Sequence, residues 1–577
     1  MKTTDKSSCN ILIEVLKSHN VKNIILSPGS RNAPLIIAAA RESYFKKTII
    51  IDERSAAFVA IGMCASNYGE EAVALICTSG SALLNYAPAI AEAYYRNLPI
   101  IIISADRPTE WIDQDDSQTL RQYEALSNYV KKSYNIPANC DTDNLRWYVN
   151  RIVNDAIITS TTQRKAPVHI NIQLDEPLNN FIDITKLAPQ RIINSPNIFH
   201  KIDENIFKCN IINKLKNKHV LIIAGFQNFC KKNWVNLNGV SGSSPLENIL
   251  KNNNNFVLLT ESLANINCEL SIDNIDRNLS ILSIEDKQNI KPDIVITFGG
   301  ALVSRHIKQF LREIKPSEHW HIGITDNTID CFQSLTMRIE MYPNEFFEQL
   351  SQYNNISNSI QSNHYSYKYI WENLAKMAKK SHENYINNCN WSDLKAFSII
   401  IPQLKGNLHL SNGTPIRYQQ LFDKNKHIIS VNCNRGVSGI DGCTSTAIGH
   451  ALISNDPTIL ITGDLSAQYD ISALTINKIP SNFKMIVMCN GGGGIFRFIK
   501  STSDLPELEE YFVINNNLPL KELATGYNFS FYSATNEDEL IKQLPQFLSQ
   551  NNNPAILTIY TPAKENALIL KEYFNRK

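Results

Sequence analysis

Short apolar runs rich in isoleucine and valine alternate along almost the whole chain with longer amphipathic stretches, and that alternation admits few folds. Such a run, bounded by glycine, proline or polar residues, reads as a strand buried on both faces. A strand followed by an amphipathic helix is half of a βαβ unit, and chains of these units build parallel sheets. The runs fall into three groups: 23–26, 49–51, 72–77, 99–104 and 167–174; then 219–225, 256–260, 293–298 and 319–324; then 427–432, 458–462, 484–489 and 555–560. Polar, proline-containing sequence near 176–200 and a polar stretch near 350–366 separate them. The expected class is α/β, with three doubly wound parallel-sheet domains at 1–185, 195–350 and 367–577. No sequence repeat is obvious among the three groups.

Composition narrows the partners. A length of 577 residues suits about three or four domains, and 43% hydrophobic with 19% charged residues is ordinary for a soluble globular protein. A net charge of +1 gives no field that would draw the chain to nucleic acid or an anionic membrane. Twelve cysteines occur without a C-x-x-C pair, and Cys77, Cys433 and Cys489 lie in or beside apolar strands. That pattern suits reduced thiols and a cytoplasmic location better than a disulfide framework. The N-terminus is polar, without the apolar core of a signal peptide, and the longest apolar runs are too short to span a bilayer. Asparagine tracts at 252–255, 515–517 and 551–553 read as loops.

The chemistry concentrates in two places. In the third group, Gly463-Asp464 closes one strand and Asn490-Gly491-Gly492 closes the next. Adjacent parallel strands deliver their C-terminal ends to one edge, where ligands bind. A carboxylate, an amide oxygen and exposed glycine backbone there suit a hard cation with open positions for phosphate oxygens. A helix cap, a flexible loop or a dinucleotide site would each use some of these residues, although neither place carries G-x-G-x-x-G. In the first group, Ile49-Ile-Ile-Asp-Glu-Arg-Ser-Ala-Ala-Phe58 places Glu53 just after a strand, opening a helix. A first-turn Glu ordinarily just complements the helix dipole.

Four segments give this pair of places a meaning. They are Leu26-Ser-Pro-Gly-Ser-Arg-Asn-Ala-Pro-Leu35, Ile51-Asp-Glu-Arg54, Asn434-Arg-Gly-Val-Ser-Gly-Ile-Asp-Gly442 and Gly463-Asp-Leu-Ser-Ala-Gln-Tyr-Asp470. Together they resemble a thiamine diphosphate (ThDP) enzyme family of menaquinone biosynthesis, the 2-succinyl-5-enolpyruvyl-6-hydroxy-3-cyclohexene-1-carboxylate synthases. The match runs from about residue 10 to 560 and is thin between 190 and 400. The resemblance implies three domains of the ThDP-enzyme type: pyrimidine-binding, central and diphosphate-binding. It implies decarboxylation of 2-oxoglutarate and 1,4-addition of the resulting succinyl carbanion to isochorismate. It also implies a homodimer at least, or a homotetramer, with each site shared between subunits.

Residue by residue, the resemblance makes Glu53 the acid that activates the aminopyrimidine. Such an acid must keep its proton shared, so it needs apolar surroundings, and Ala56, Ala57, Phe58, Val59 and Ala60 would supply that wall. Asp464, Asn490 and the Gly492 carbonyl would hold Mg²⁺ or Mn²⁺. Ile440 would be the aliphatic wedge that bends the coenzyme. Gly463, Leu465, Ser466, Ile495 and Phe496 complete the implied coenzyme contacts. The substrates carry several carboxylates, for which the arginine fork is suited. The matching positions are Arg31, Arg107, Arg417 and Arg435, with Ser30 and Gln118 beside them and Arg305 from the central domain. Ser117, Gly413 and Cys489 depart from the family pattern, and the role of His306 is open. Two alternatives stay open: another ThDP carboligase or decarboxylase, acetolactate-synthase-like, or a non-catalytic binding protein on the same scaffold.

Overall fold

The computed structural model describes residues 2–66, 69–196, 200–228, 244–353, 356, 366–514 and 518–576. The asparagine tract at 515–517 and most of the polar stretch near 350–366 therefore lie outside the described residues.

Three six-stranded sheets carry the molecule, as the α/β alternation requires. The first sheet orders its strands Lys46–Ile49, Asn23–Leu26, Val73–Cys77, Ile100–Asp106, Val168–Gln173 and Ser133–Ile136, all parallel. The third orders Ile428–Cys433, Gly406–Leu410, Thr458–Gly463, Phe483–Cys489, Ala555–Tyr560 and Ser530–Ala534. Counted along the chain within each sheet, both follow the order 2-1-3-4-6-5. The middle sheet instead follows 3-2-1-4-5-6, from Ser271–Ile272 at one edge to Met337–Ile339 at the other. A short antiparallel pair, Lys2–Thr4 with Phe181–Asp183, ties the N-terminus back to the end of the first sheet.

The strands that the apolar pattern did not reveal have a common cause. Ser133–Ile136, Ser271–Ile272, Met337–Ile339 and Ser530–Ala534 are all edge strands, where fewer neighbours demand apolar side chains. Gly406–Leu410 is the exception, an inner strand that begins with glycine and carries Asn407 and His409. It is buried throughout, and Asn407 accepts a hydrogen bond from Ser430 Oγ at 2.9 Å.

Two compact units result. The first comprises Met1–Asn197 together with Asn434–Thr458 and Ala467–Phe483; the second holds the middle sheet and most of the third. In the first unit, the helix Glu53–Ser66 packs on the helix Cys443–Ala451 at backbone distance. A methyl group built on Gly62 would lie 1.9 Å from the Thr446 carbonyl oxygen, and one on Gly449 would lie 2.1 Å from that of Val59. Only glycine permits this crossing. Asp470 caps the second of these helices, accepting from Ser445 N at 2.6 Å and Ser445 Oγ at 2.9 Å. Burial pushes the Asp470 carboxyl up to about 7. In the second unit, Asn265 bonds both backbone groups of Val431 and so extends the third sheet's edge by one side chain. No helix among the described residues is long and apolar enough to cross a membrane.

Candidate active site

In a sheet of order 2-1-3, ligands bind where connections leave the first and third strands in opposite directions. In the first unit this point lies after Leu26 and Cys77. Ser27 N donates to Ile76 O at 2.9 Å, so the turn begins in register with the neighbouring strand. A methyl group on Gly29 would stand 2.5 Å from Thr78 Cβ, so the turn can lie flat there only as glycine. Ser30 stays exposed, while Arg31 folds inward, donating to Leu174 O at 3.0 Å and pairing with Glu176 at 3.1 Å. Burial, and then the charge of Arg107, lower the Arg31 pKa from its usual value. Those two guanidinium groups therefore belong to one electrostatic neighbourhood.

Arg107 follows the fourth strand. Its Nη1 meets Asp116 Oδ2 at 2.8 Å and its Nε donates to Ser117 O at 3.0 Å. Beneath it runs a buried polar chain: Gly80 N donates to Gln122, Gln122 to Asn171, Asn171 to Asp106, and Asp106 accepts from Arg107 N. Gln118 is exposed, with φ of 53°, and its backbone lies 3.4 Å from where a Gly80 methyl would be.

Glu53 opens its helix half-exposed, and its carboxylate accepts from Asn85 Nδ2 at 3.4 Å. The flanking residues expected as its apolar wall, Ala56, Ala57, Phe58, Val59 and Ala60, are buried within their own unit, at 2% exposure or less. The reason is the close helix crossing, which consumes that face: the Phe58 ring fills the space where any side chain on Gly442 (φ 65°) would go.

The loop 434–442 is held by a helix far away in sequence, Ala87–Tyr95. Glu92, 2% exposed, accepts from Gly436 N at 2.8 Å and Val437 N at 2.6 Å. Arg96 lies 4.0 Å from Glu92 and donates to Asn434 Oδ1 at 3.3 Å. Burial raises the Glu92 pKa, while Arg96 and the loop's N–H groups oppose that rise. The clamp leaves Arg435 half-buried and the Ile440 side chain 37% exposed, an apolar group presented rather than packed.

The second unit repeats the arrangement. Ser411 N donates to Ile461 O at 3.0 Å, as Ser27 does to Ile76, and Gly413 (φ 97°) turns the chain into the short helix Thr414–Gln419. Arg417 on that helix is half-buried and reaches back to the Gly413 carbonyl. Asp464, 7% exposed, receives Leu465 N at 2.8 Å and Gly492 N at 2.9 Å. Burial raises its pKa against those donors. Gly492 (φ 72°) has no room for a side chain, because the Ile514 carbonyl would lie 2.0 Å away. The space beside Gly463 is open to 4 Å, so a ligand can approach that backbone closely. Ser466 is buried, Leu465 half-buried, and Ile495 and Phe496 are half-buried on the helix Gly494–Phe498.

Sequence reasoning missed Asp393, which receives Asn490 Nδ2 at 2.8 Å and Thr561 Oγ1 at 2.6 Å. Burial pushes its carboxyl up to about 6. With its NH₂ committed there, Asn490 keeps its oxygen as a free acceptor. Asp464, the Asn490 amide oxygen and backbone carbonyls form an all-oxygen donor set, which fits Mg²⁺ or Mn²⁺ rather than a softer metal. The described residues contain no cluster of three or more His, Cys, Asp or Glu that would hold a metal otherwise. Arg305 is exposed at the start of the helix Arg305–Ile314, and the N–H groups of Val303 and Ser304 just before it donate to Glu261 at 2.8 and 2.6 Å.

Comparison with known proteins decides the family. The thiamine pyrophosphate enzyme N-terminal TPP binding domain matches residues 8–125, and the thiamine pyrophosphate middle domain matches residues 248–400. Similar full-length proteins are named 2-succinyl-5-enolpyruvyl-6-hydroxy-3-cyclohexene-1-carboxylate synthase. That of Porphyromonas gingivalis is 37% identical over 99% of this chain and 97% of its own. Those of Flavobacterium psychrophilum and Flavobacterium johnsoniae are 39% and 38% identical, each over 98% of this chain and 97% of their own. The chain belongs to this synthase family. It is a thiamine diphosphate-dependent transferase of menaquinone biosynthesis acting on small molecules. In this synthase the TPP-binding match contains Arg31, Glu53, Arg107 and Gln118, and the middle-domain match contains Arg305 and Asp393.

Proposed function

We propose that this synthase decarboxylates 2-oxoglutarate and adds the succinyl unit in 1,4 fashion to isochorismate, giving 2-succinyl-5-enolpyruvyl-6-hydroxy-3-cyclohexene-1-carboxylate and CO₂. ThDP, when bound, would supply the electron sink that loss of CO₂ from a 2-oxo acid requires. The division 1–185, 195–350 and 367–577 belongs to this reading, as do a cytoplasmic location and a homodimer or homotetramer. The half-exposed Glu53 supports a second copy completing the site.

Glu53 holds a proton at N1′ of the aminopyrimidine. Asp464, Asn490 and the Gly492 carbonyl would hold Mg²⁺ or Mn²⁺, and the open backbone at Gly463 would let the diphosphate approach. Gly463, Leu465, Ser466, Ile495 and Phe496 line the coenzyme, and Ile440 presses on it from the clamped loop. Arg31, Arg107, Arg417 and Arg435, with Ser30 and Gln118, orient the substrate carboxylates, and Arg305 contributes from the central sheet. The proximity of Arg31 to Arg107 favours a doubly charged substrate, because each guanidinium lowers the other's cost of binding an anion.

The observation that carries the reading is the buried Asp464–Gly492–Asn490 corner on a chain related over its whole length to named synthases. Steady-state turnover of 2-oxoglutarate plus isochorismate, dependent on ThDP and Mg²⁺, is the expected result. Carboligation of pyruvate with no turnover of that pair overturns it.

A further inference from the structure

Asn490 has an ambiguity that Asp464 lacks. A carboxylate offers oxygen whichever way it turns, but a primary amide flipped by 180° offers a cation two N–H donors instead of an oxygen. A site that relies on Asn490 therefore needs something to fix the flip. The residue that does so lies 97 positions earlier in the chain. Asp393 begins the helix Asp393–Ile400 and is 1% exposed. One of its carboxylate oxygens takes Asn490 Nδ2 at 2.8 Å, and the other takes Thr561 Oγ1 at 2.6 Å. Asn566 closes the ring, its oxygen receiving Asp393 N at 2.8 Å and its nitrogen donating to Thr561 Oγ1 at 3.0 Å. Every member is buried, so none can exchange its partner for water without cost.

We infer that Asp393, held by Thr561 and Asn566, is the positioning residue that keeps the Asn490 amide oxygen turned toward the cation site. The inference rests on the reading of Asp464 and Asn490 as metal ligands. A carboxylate suits the task because it can only accept, so it rejects the wrong flip as well as stabilising the right one. Its negative charge also adds to the field at the cation without occupying a coordination position.

The test is direct titration of Mn²⁺ into the full-length protein with ThDP present, followed by electron paramagnetic resonance, with melting curves as a control. For Asp393→Ala the Mn²⁺ dissociation constant should rise about 10- to 100-fold, the range for loss of a ligand-orienting partner. Asp393→Asn offers Asn490 an oxygen in one flip and N–H donors in the other, so it should fall between the Ala variant and the unsubstituted protein. Should Asp393→Ala not fold, Asp393→Ser keeps a polar group at the helix start, stops one bond short of Asn490 and is read the same way. Undiminished Mn²⁺ binding by the Ala or Ser variant, in a protein that needs Asn490 for binding, overturns the inference alone. Absence of Mn²⁺ binding by the unsubstituted protein overturns the metal reading and this inference together.

Discussion

Glu53 and the arginines make separable predictions because they act on different atoms. Glu53→Gln removes the proton held at N1′ but not the shape of the side chain. ThDP should still bind in calorimetry, while hydrogen–deuterium exchange at the coenzyme C2, followed by NMR, slows by about 10²–10⁴-fold, the usual worth of a positioned acid. Unchanged exchange removes Glu53 from its role. Arg417→Ala and Arg435→Ala each delete a charge-assisted contact worth about 1.5–3 kcal/mol. The KM for one or both substrates should rise about 10- to 100-fold, with C2 exchange unaffected. At this scale the sequence was most informative, since Glu53, Asp464 and the arginines stand in contiguous motifs. What buries Ala56–Ala60 was not legible there, because it is a helix some 390 positions away, Cys443–Ala451, which no local pattern announces.

Elements position what residues do, and the clearest case is the helix Ala87–Tyr95 gripping the loop 434–442. Glu92→Ala would remove the acceptor of the Gly436 and Val437 N–H groups and the carboxylate beside Arg96, costing about 1–3 kcal/mol of stability. The expected outcome is a lower melting temperature and a raised substrate KM, as Arg435 and Ile440 lose their fixed loop. A glutamine, which retains one acceptor oxygen, should fall between. A melting curve and KM that do not move in the alanine variant contradict the clamp. Glu92 and Gly436 are 344 residues apart, so the contact was illegible in the sequence. A subtler signal was present there. Leu26-Ser-Pro-Gly29 and Leu410-Ser-Asn-Gly413 share Leu-Ser-x-Gly, and the structure sets both at the same turn of the same 2-1-3-4-6-5 order. Four residues are too few to declare a repeat, and the topology supplies what they lack. The Gly406–Leu410 strand preceding the second turn was invisible for the opposite reason, its buried polar residues being satisfied by neighbours rather than replaced by apolar ones.

For the molecule as a whole, acid should be destabilising. Burial holds His169 and His319 down to about 4, and His382 and His450 down to about 3, from an ordinary value of 6.5. The unfolded chain binds protons at these positions below pH 6.5 and the folded chain does not. Their contribution is complete above about pH 6.5 and is lost as pH falls toward those lower values. Asp470, raised to about 7, and Asp393, raised to about 6, work in the opposite direction, as do the raised Glu92 and Asp464, since their ionisation penalises the fold as pH rises from about 4. Four histidines outweigh them, so urea midpoints should fall from pH 7 to pH 5. A midpoint that holds or rises would show the histidines to be less buried than described. The three-sheet architecture itself was readable from the apolar runs, whereas four of the six edge strands were not, because an edge asks little of its side chains. The first compact unit also has a history written into it. It closes only with Asn434–Thr458 and Ala467–Phe483, which cover the helix Glu53–Ser66. The segment ending at Phe483 must therefore be made before the part of the chain around Glu53 can finish folding. Until then the Glu53–Ser66 helix lacks the segments that cover it, and its apolar face is open to aggregation.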